Sequence, residues 1–299
     1  VIWVLLLLVL GLAAVGGWDD WLKVSRRNAR GMLPRHKMAG QMAVGLLFGL
    51  ALMLLPRGDQ PLYQRAVTSD EALAMGEHWG VDVEILGTVL LEAHAPGQLV
   101  SLGIRGHSHL MVPFFKNLYP DLGWWFVLWA MFVIVCTSNA VNLTDGLDGL
   151  AIGVTTMVAI CFTVIAYIVA RPALSRYLLI PAVPEAGEVA VLLGCLIGAA
   201  FGFLWFNSHP AEVFMGDVGS LMLGGLLGGV ALALDCELLL VIVGGIFVLE
   251  AASALIQIAG YKVLGRRIFL MAPIHHHFEK LGLHESKIIA RFWIIGALL

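Results

Sequence analysis

Long apolar runs, broken by compact polar knots, set the pattern of this chain from its first residue. A helix needs about 20 mostly apolar residues to cross a hydrocarbon core. By that length the sequence predicts about eight membrane helices, over 1–17, 39–55, 123–141, 147–170, 187–206, 218–234, 238–260 and 288–299, the last cut short by the end of the chain. Inside lipid every backbone N–H and C=O must find its partner within the segment, which makes each run a helix. The predicted fold class is therefore all-α, a polytopic transmembrane helical bundle, with 1–299 as a single membrane domain. Gly224, Gly225, Gly228 and Gly229 sit inside one run, where small residues suit close helix–helix contact.

A chain that crosses at every helix places its first, third, fifth and seventh connections on one face. The first carries Asp19, Asp20, Lys23 and a basic run to Lys37, and the third Asn139, Asn142, Asp145 and Asp148. The fifth carries Asn207, His209 and Asp217, and the seventh Arg266, Arg267 and His275, His276 and His277. Most of the 18 Lys and Arg lie in the first and seventh connections, among them Arg26, Arg27, Arg30, Arg35, Lys262, Lys280 and Lys287. The positive-inside rule makes this face cytoplasmic. The stretch 56–122 then reads as an extracytoplasmic insertion, with an acidic patch over 69–92 open to a helical reading. His107 and His109 in it fit a solvated loop better than a metal pair.

Composition agrees with the pattern: 60% hydrophobic residues, 13% charged and a mean hydropathy of +0.89 exclude a soluble domain. The net charge of −3 points to no nucleic-acid partner. Cys136, Cys161, Cys195 and Cys236 are too widely spaced for a disulfide framework or a metal finger. The chain opens on Val1 inside an apolar run, with no basic segment or cleavage site, and so reads as entered at a membrane helix rather than at a signal peptide.

Carboxylates next to such helices are expensive, and those on the cytoplasmic face call for chemistry. Asp145 and Asp148 would point to one side if they formed the first turn of the fourth helix. Gly146 and Gly149 would let a ligand approach the backbone there. Helix capping alone would account for Asp145 or Asp217. Asp19, Asp20, Asp145, Asp148 and Asp217 converging on one face would repel each other unless a hard cation sat among them. Oxygen ligands favour Mg²⁺, which keeps waters and phosphates as further ligands and so implies a phosphate-bearing substrate. Three consecutive histidines cannot share one helix face as zinc ligands do; hydrogen bonding or charge compensation for a pyrophosphate fits them better. Arg266, Arg267, Lys23, Arg35 and Lys37 are further cations on that side. A secondary transporter is the competing class, but it expects charges near the bilayer midplane rather than at helix ends.

The segments Asp19-Asp20-Trp-Leu-Lys23, Asn139-Ala-Val-Asn142-Leu-Thr-Asp145-Gly146-Leu147-Asp148-Gly, Phe214-Met-Gly-Asp217-Val-Gly-Ser and Ala-Pro-Ile-His275-His276-His277 together resemble the signature motifs of the polyprenyl-phosphate hexosamine-1-phosphate transferases. Within that superfamily the likeness is greatest to the muramoyl-pentapeptide branch and runs from about residue 17 to residue 293. The resemblance implies Mg²⁺-dependent transfer of phospho-N-acetylmuramoyl-pentapeptide from UDP-N-acetylmuramoyl-pentapeptide to undecaprenyl phosphate, releasing UMP. It also implies a homodimer in the bacterial inner membrane with its active site on the cytoplasmic face. By the same resemblance Asp217 is the metal ligand, and Asp19 and Asp20 engage or deprotonate the acceptor phosphate. Asn139, Asn142, Asp145, Gly146, Leu147, Asp148, Asn207 and Phe214 are similar to the nucleotide-contacting set. Gln257, His275, His276 and His277 help bind the donor, and Lys23 and Lys37 lie near its diphosphate. Members of the family carry ten helices, two of them before the point where this chain starts. An N-acetylglucosamine-1-phosphate transferase is the alternative within the superfamily, disfavoured by the undivided His triplet.

Overall fold

The computed structural model describes residues 1–26, 31–55, 61–67, 82–91, 95–103, 107–115, 120–178, 180 and 182–299. In chain order these form α1 (Ile2–Ser25), α2 (Pro34–Leu54), β1 (Pro61–Val67), β2 (Asp82–Leu91), β3 (Ala95–Gly103), α3 (Trp125–Thr144) and α4 (Leu150–Val169). There follow α5 (Pro172–Leu178), α6 (Ala186–Asn207), α7 (Gly216–Ala233), α8 (Glu237–Val243), α9 (Gly245–Leu264), α10 (Ile274–Lys280) and α11 (Glu285–Leu298). Among the described residues 7 helices, namely α1, α2, α3, α4, α6, α7 and α9, are long and apolar enough to cross a membrane. The protein is a polytopic helical membrane bundle, as its apolar runs require.

Three predicted spans differ in detail. α1 continues to Ser25, so Asp19, Asp20 and Lys23 ride on a helix rather than in a connection. The run 238–260 is broken at Gly244 into α8 and α9, because the Gly244–Gly245 pair supplies little helix propensity where the chain turns. The last run forms α11, a helix of 14 residues.

The bundle is built around α7, whose apolar window is 78% buried. Its glycines explain why. A Cβ on Gly224 would lie 2.4 Å from the Thr137 carbonyl oxygen and 2.6 Å from Ser138 Cα, and one on Gly228 2.4 Å from Thr137 Oγ1. The neighbouring pair, Gly225 and Gly229, faces Leu12 and Leu8 of α1. Two small-residue stripes thus let α3 and α1 pack on adjacent faces of α7, the use expected for them in lipid. Leu5, Leu8, Leu12, Phe48, Ile134 and Val230 fill the core around these contacts. At the end of the α1–α7 contact Gly16 meets α7 backbone to backbone: a Cβ there would be 2.2 Å from the Asp217 carbonyl oxygen. That contact brings Asp19 and Asp20, one turn further along α1, to the entrance of α7.

In the long connection between α2 and α3, β1, β3 and β2 form an antiparallel sheet in that order, with Val100 of β3 opposite both Arg65 and Ile85. Residues 82–91, read from sequence as open to helix, are strand; alternating β-branched residues favour the pleat over their acidic flanks. The remainder of that patch, 69–81 and 92, lies outside the described residues. His107 and His109 are buried, not solvated. The strap carrying them folds back on itself through Leu122 N to Ser108 O (2.9 Å) and Leu110 N to Pro120 O (3.0 Å), and sets His107 Nδ1 3.8 Å from Asp235 Oδ1 beyond the end of α7.

Candidate active site

The C-terminal turns of α1 and α3 meet the first turns of α2 and α7 in one cluster of charge. Helical spacing puts Lys23 on the same face as Asp19 and Asp20, with Nζ 2.9 Å from Asp19 Oδ2 and 3.1 Å from Asp20 Oδ1. The same ammonium binds Asp217 Oδ2 across the helix interface. Lys37, in the first turn of α2, lies 2.8 Å from Asp217 Oδ1 and 3.9 Å from Asp19 Oδ2. Asn142 donates to the Asp217 carboxylate and, at 2.8 Å, to Ser220 Oγ one turn along α7. Asp20 accepts the backbone N–H of Val218 at 3.0 Å, and Asp19 that of Met32. Asp19 and Asp217 are only 4% and 9% exposed, and burial of an unpaired carboxylate costs several kcal/mol. The two lysines are therefore integral to the site. The more exposed member of the pair is Asp20.

Asn139 is not part of this cluster. Its amide donates to the buried Gln41 of α2 at 2.9 Å and to Val135 O at 2.7 Å, so it joins helices rather than facing a ligand.

Asp145 and Asp148 would share a side only as the first turn of the fourth membrane helix, and that helix starts at Leu150. Asp145 instead ends α3, and residues 145–149 form a turn closed by Gly149 at φ 77°. The two carboxylates part company across it. Burial, helped by the charges of Asp217 and Asp20, pushes the Asp145 carboxyl up to about 6. Asp148 turns toward the loop after α6, where its Oδ2 accepts the N–H of Ala211 at 3.0 Å and lies 3.2 Å from His209 Nδ1. Leu147 is buried beneath the turn. Asn207, ending α6, takes the Gly149 N–H on its Oδ1 at 3.1 Å and gives its amide to Val213 O at 2.7 Å. The loop so held presents Phe214, 75% exposed, as a free aromatic face.

The histidine triplet divides in three. His275 is fully buried, with Nδ1 3.0 Å from Glu250 Oε2 of α9 and its other nitrogen packed on Gly146. The closeness that Gly146 allows is thus taken by an imidazole. His276 is half-buried and pairs with Glu279. His277 accepts the Leu270 N–H on Nδ1 at 3.1 Å. Gln257 is spent on the same connection: Oε1 accepts from Ile268 (3.0 Å) and Phe269 (2.9 Å) while Nε2 donates to Phe269 O (3.0 Å). Beside it a cavity of about 490 Å³ is lined by Gln257, Arg267 and Lys280 together with apolar side chains.

Chemically the cluster offers one oxygen each from Asp19, Asp20 and Asp217, all within 4.8 Å of one another. An all-oxygen set suits a hard divalent cation, and Lys23 already shows that positive charge belongs at its centre. The exposed Phe214 and two lysines alongside suit a base and its phosphates. Sequence reading missed Ser220, Glu250 and Glu285. A signal existed for Glu250, an acid inside an apolar run; none existed for the partners that tertiary packing selects.

The profile of glycosyl transferase family 4 matches residues 2–235. A phospho-N-acetylmuramoyl-pentapeptide-transferase of Citrifermentans bemidjiense is 46% identical over 298 residues, 100% of this chain and 70% of its own length. The proteins of that name from Pelobacter propionicus and Desulfotalea psychrophila are 44% and 41% identical, again across 100% of this chain and 70% of theirs. By that profile and these relatives the chain belongs to glycosyl transferase family 4, and it is a multi-pass membrane transferase.

Proposed function

We propose that the protein transfers phospho-N-acetylmuramoyl-pentapeptide from UDP-N-acetylmuramoyl-pentapeptide to undecaprenyl phosphate, releasing UMP and forming the first lipid-linked precursor of peptidoglycan. The observation that carries the reading is the cluster of Asp19, Asp20 and Asp217 around Lys23 and Lys37 at one end of the bundle, in a chain whose relatives are named phospho-N-acetylmuramoyl-pentapeptide-transferases. The membrane is the bacterial inner membrane and the cluster faces the cytoplasm, where the basic connections lie.

In this reading an oxygen of the acceptor phosphate attacks the sugar-side phosphorus of the donor diphosphate. The bond from that phosphorus to the bridging oxygen breaks, and UMP leaves with the electron pair. Most of the catalysis is positioning and charge neutralisation. Lys37 and Lys23 hold the diphosphate oxygens, and Phe214 and the 145–149 turn, backed by the buried Leu147, receive the uridine. Asp20, the more exposed of the α1 pair, takes the acceptor's proton, while Asp19 holds Lys23 in place. Asp217, with Asp19 and Asp20, would hold Mg²⁺, which supplies charge neutralisation for the diphosphate when bound. His276 and His277, both only half-buried, are the members of the triplet open to the donor; His275 and Gln257 support the surfaces around them.

The test is UMP release by the purified protein in detergent or nanodiscs, with both substrates and Mg²⁺. Release with UDP-N-acetylmuramoyl-pentapeptide and none with UDP-N-acetylglucosamine is expected. The reverse preference would give the site to an N-acetylglucosamine-1-phosphate transferase.

A further inference from the structure

Two glutamates outside every motif of the sequence converge, each through a histidine, on the two halves of the 145–149 turn. From below, Glu250 of α9 sets Oε2 3.0 Å from His275 Nδ1 and accepts the His275 backbone N–H at 3.5 Å, and both side chains are 0% exposed. The His275 ring lies so close to Gly146 that a Cβ there would be 2.4 Å from Nε2. From the rim, Glu285 in the first turn of α11 places Oε2 3.3 Å from His209 Nδ1, and the same nitrogen is 3.2 Å from Asp148 Oδ2. One imidazole nitrogen thus lies between two carboxylates, one from the 145–149 turn and one from α11. The Asp148 carboxylate also carries the Ala211 N–H, and Asn207 joins Gly149 to Val213. The turn and the loop bearing Phe214 are therefore locked to each other, and the lock is anchored on α9 and α11, outside the carboxylate–lysine cluster.

We infer that Glu250 and Glu285 are positioning residues for the nucleotide half of the site, acting through His275 and His209 on the 145–149 turn and the Phe214 loop. The inference rests on the proposed donor. A lock on the nucleotide surface alone sets the donor's affinity and leaves the lipid acceptor untouched. A mere fold-stabilising role would instead lower the amount of active protein and change neither KM. Glu285→Gln keeps an oxygen within reach of the imidazole nitrogen; Glu285→Ala removes it.

The experiment compares wild type with Glu285→Ala, Glu285→Gln, His209→Ala, the Glu285→Ala/His209→Ala double variant and Glu250→Gln. It measures the KM of each substrate and, separately, UMP affinity by calorimetry without any turnover. Glu285→Ala and His209→Ala are each expected to raise the donor KM and weaken UMP about tenfold, with the acceptor KM unchanged, and the double variant to be no worse than the worse single one. Glu285→Gln should recover most of the loss, and Glu250→Gln should show the same donor-only shift. Equal changes in both KM values, penalties that multiply in the double variant, or unaltered UMP affinity would overturn the inference. Should wild type bind UMP with this pattern and yet release none from the proposed donor, the proposed reaction fails while the positioning role stands.

Discussion

Asp217 accepts from Lys23, Lys37 and Asn142 at once, so its carboxylate charge organises the cluster. Asp217→Asn keeps the shape and removes that charge; UMP release should fall about a hundredfold or more and the Mg²⁺ dependence should disappear, and equal rates would remove the metal assignment. Lys23→Met leaves Asp19, Asp20 and Asp217 facing one another without their shared cation. It should lower both the melting temperature and turnover, measured by thermal unfolding in detergent and by UMP release. Asp145 behaves in the opposite sense. Its carboxyl is raised from 3.8 to about 6, so between those pH values the folded protein holds a proton that the unfolded chain releases. Above about 6 the buried charge costs stability in full, and below about 4 it costs nothing. Asp145→Asn should therefore raise the melting temperature of the metal-free protein by a few degrees at pH 7.5, with the gain fading to nothing by about pH 4. No gain at pH 7.5 would contradict the burial argument.

Among the elements, α7 carries the strictest packing, and its glycines differ from those of α6 in a way that mutation can read. A Cβ at Gly224 meets backbone of α3, which cannot move aside, whereas one at Gly194, Gly198 or Gly202 of α6 meets nothing within 4 Å among the described residues. Gly224→Ala should displace α3 and with it Asn142, lowering thermal stability and activity together. Gly198→Ala should leave activity unchanged and, by better helix propensity, leave stability equal or slightly higher. If both substitutions behave alike, α7 is not the packing centre. The four α7 glycines were legible as contact residues before any fold was known, because small residues inside an apolar run have few other uses. The break at Gly244 was not, since glycine inside membrane helices is common and the turn depends on what α8 and α9 pack against.

At the level of the whole molecule the alternation of spans puts the carboxylate cluster and the strap at opposite ends of the bundle. A cysteine at Lys280 should be labelled by a membrane-impermeant thiol reagent only after cells are opened, and one at Phe115 in intact cells, both positions being exposed. The opposite pattern would invert the protein.

Hydropathy determined by itself the class of fold and most of the spans, and the lopsided spread of Lys and Arg is what the proposed orientation rests on. These follow from transfer free energies, which act residue by residue and need no knowledge of neighbours. The motifs likewise brought Asp19, Asp20, Lys23, Lys37 and Asp217 onto one list. Only the tertiary structure decided that Asp145 and Asp148 face different partners, that Asn139 and Gln257 join backbone and helices, that His275 is buried, and that Glu250 and Glu285 support the turn from outside the motifs. Those outcomes depend on hydrogen bonds between segments far apart in the chain. A Cβ at Gly16, Gly146 or Gly224 would overlap its neighbour, so the lack of one there decides which segments can meet.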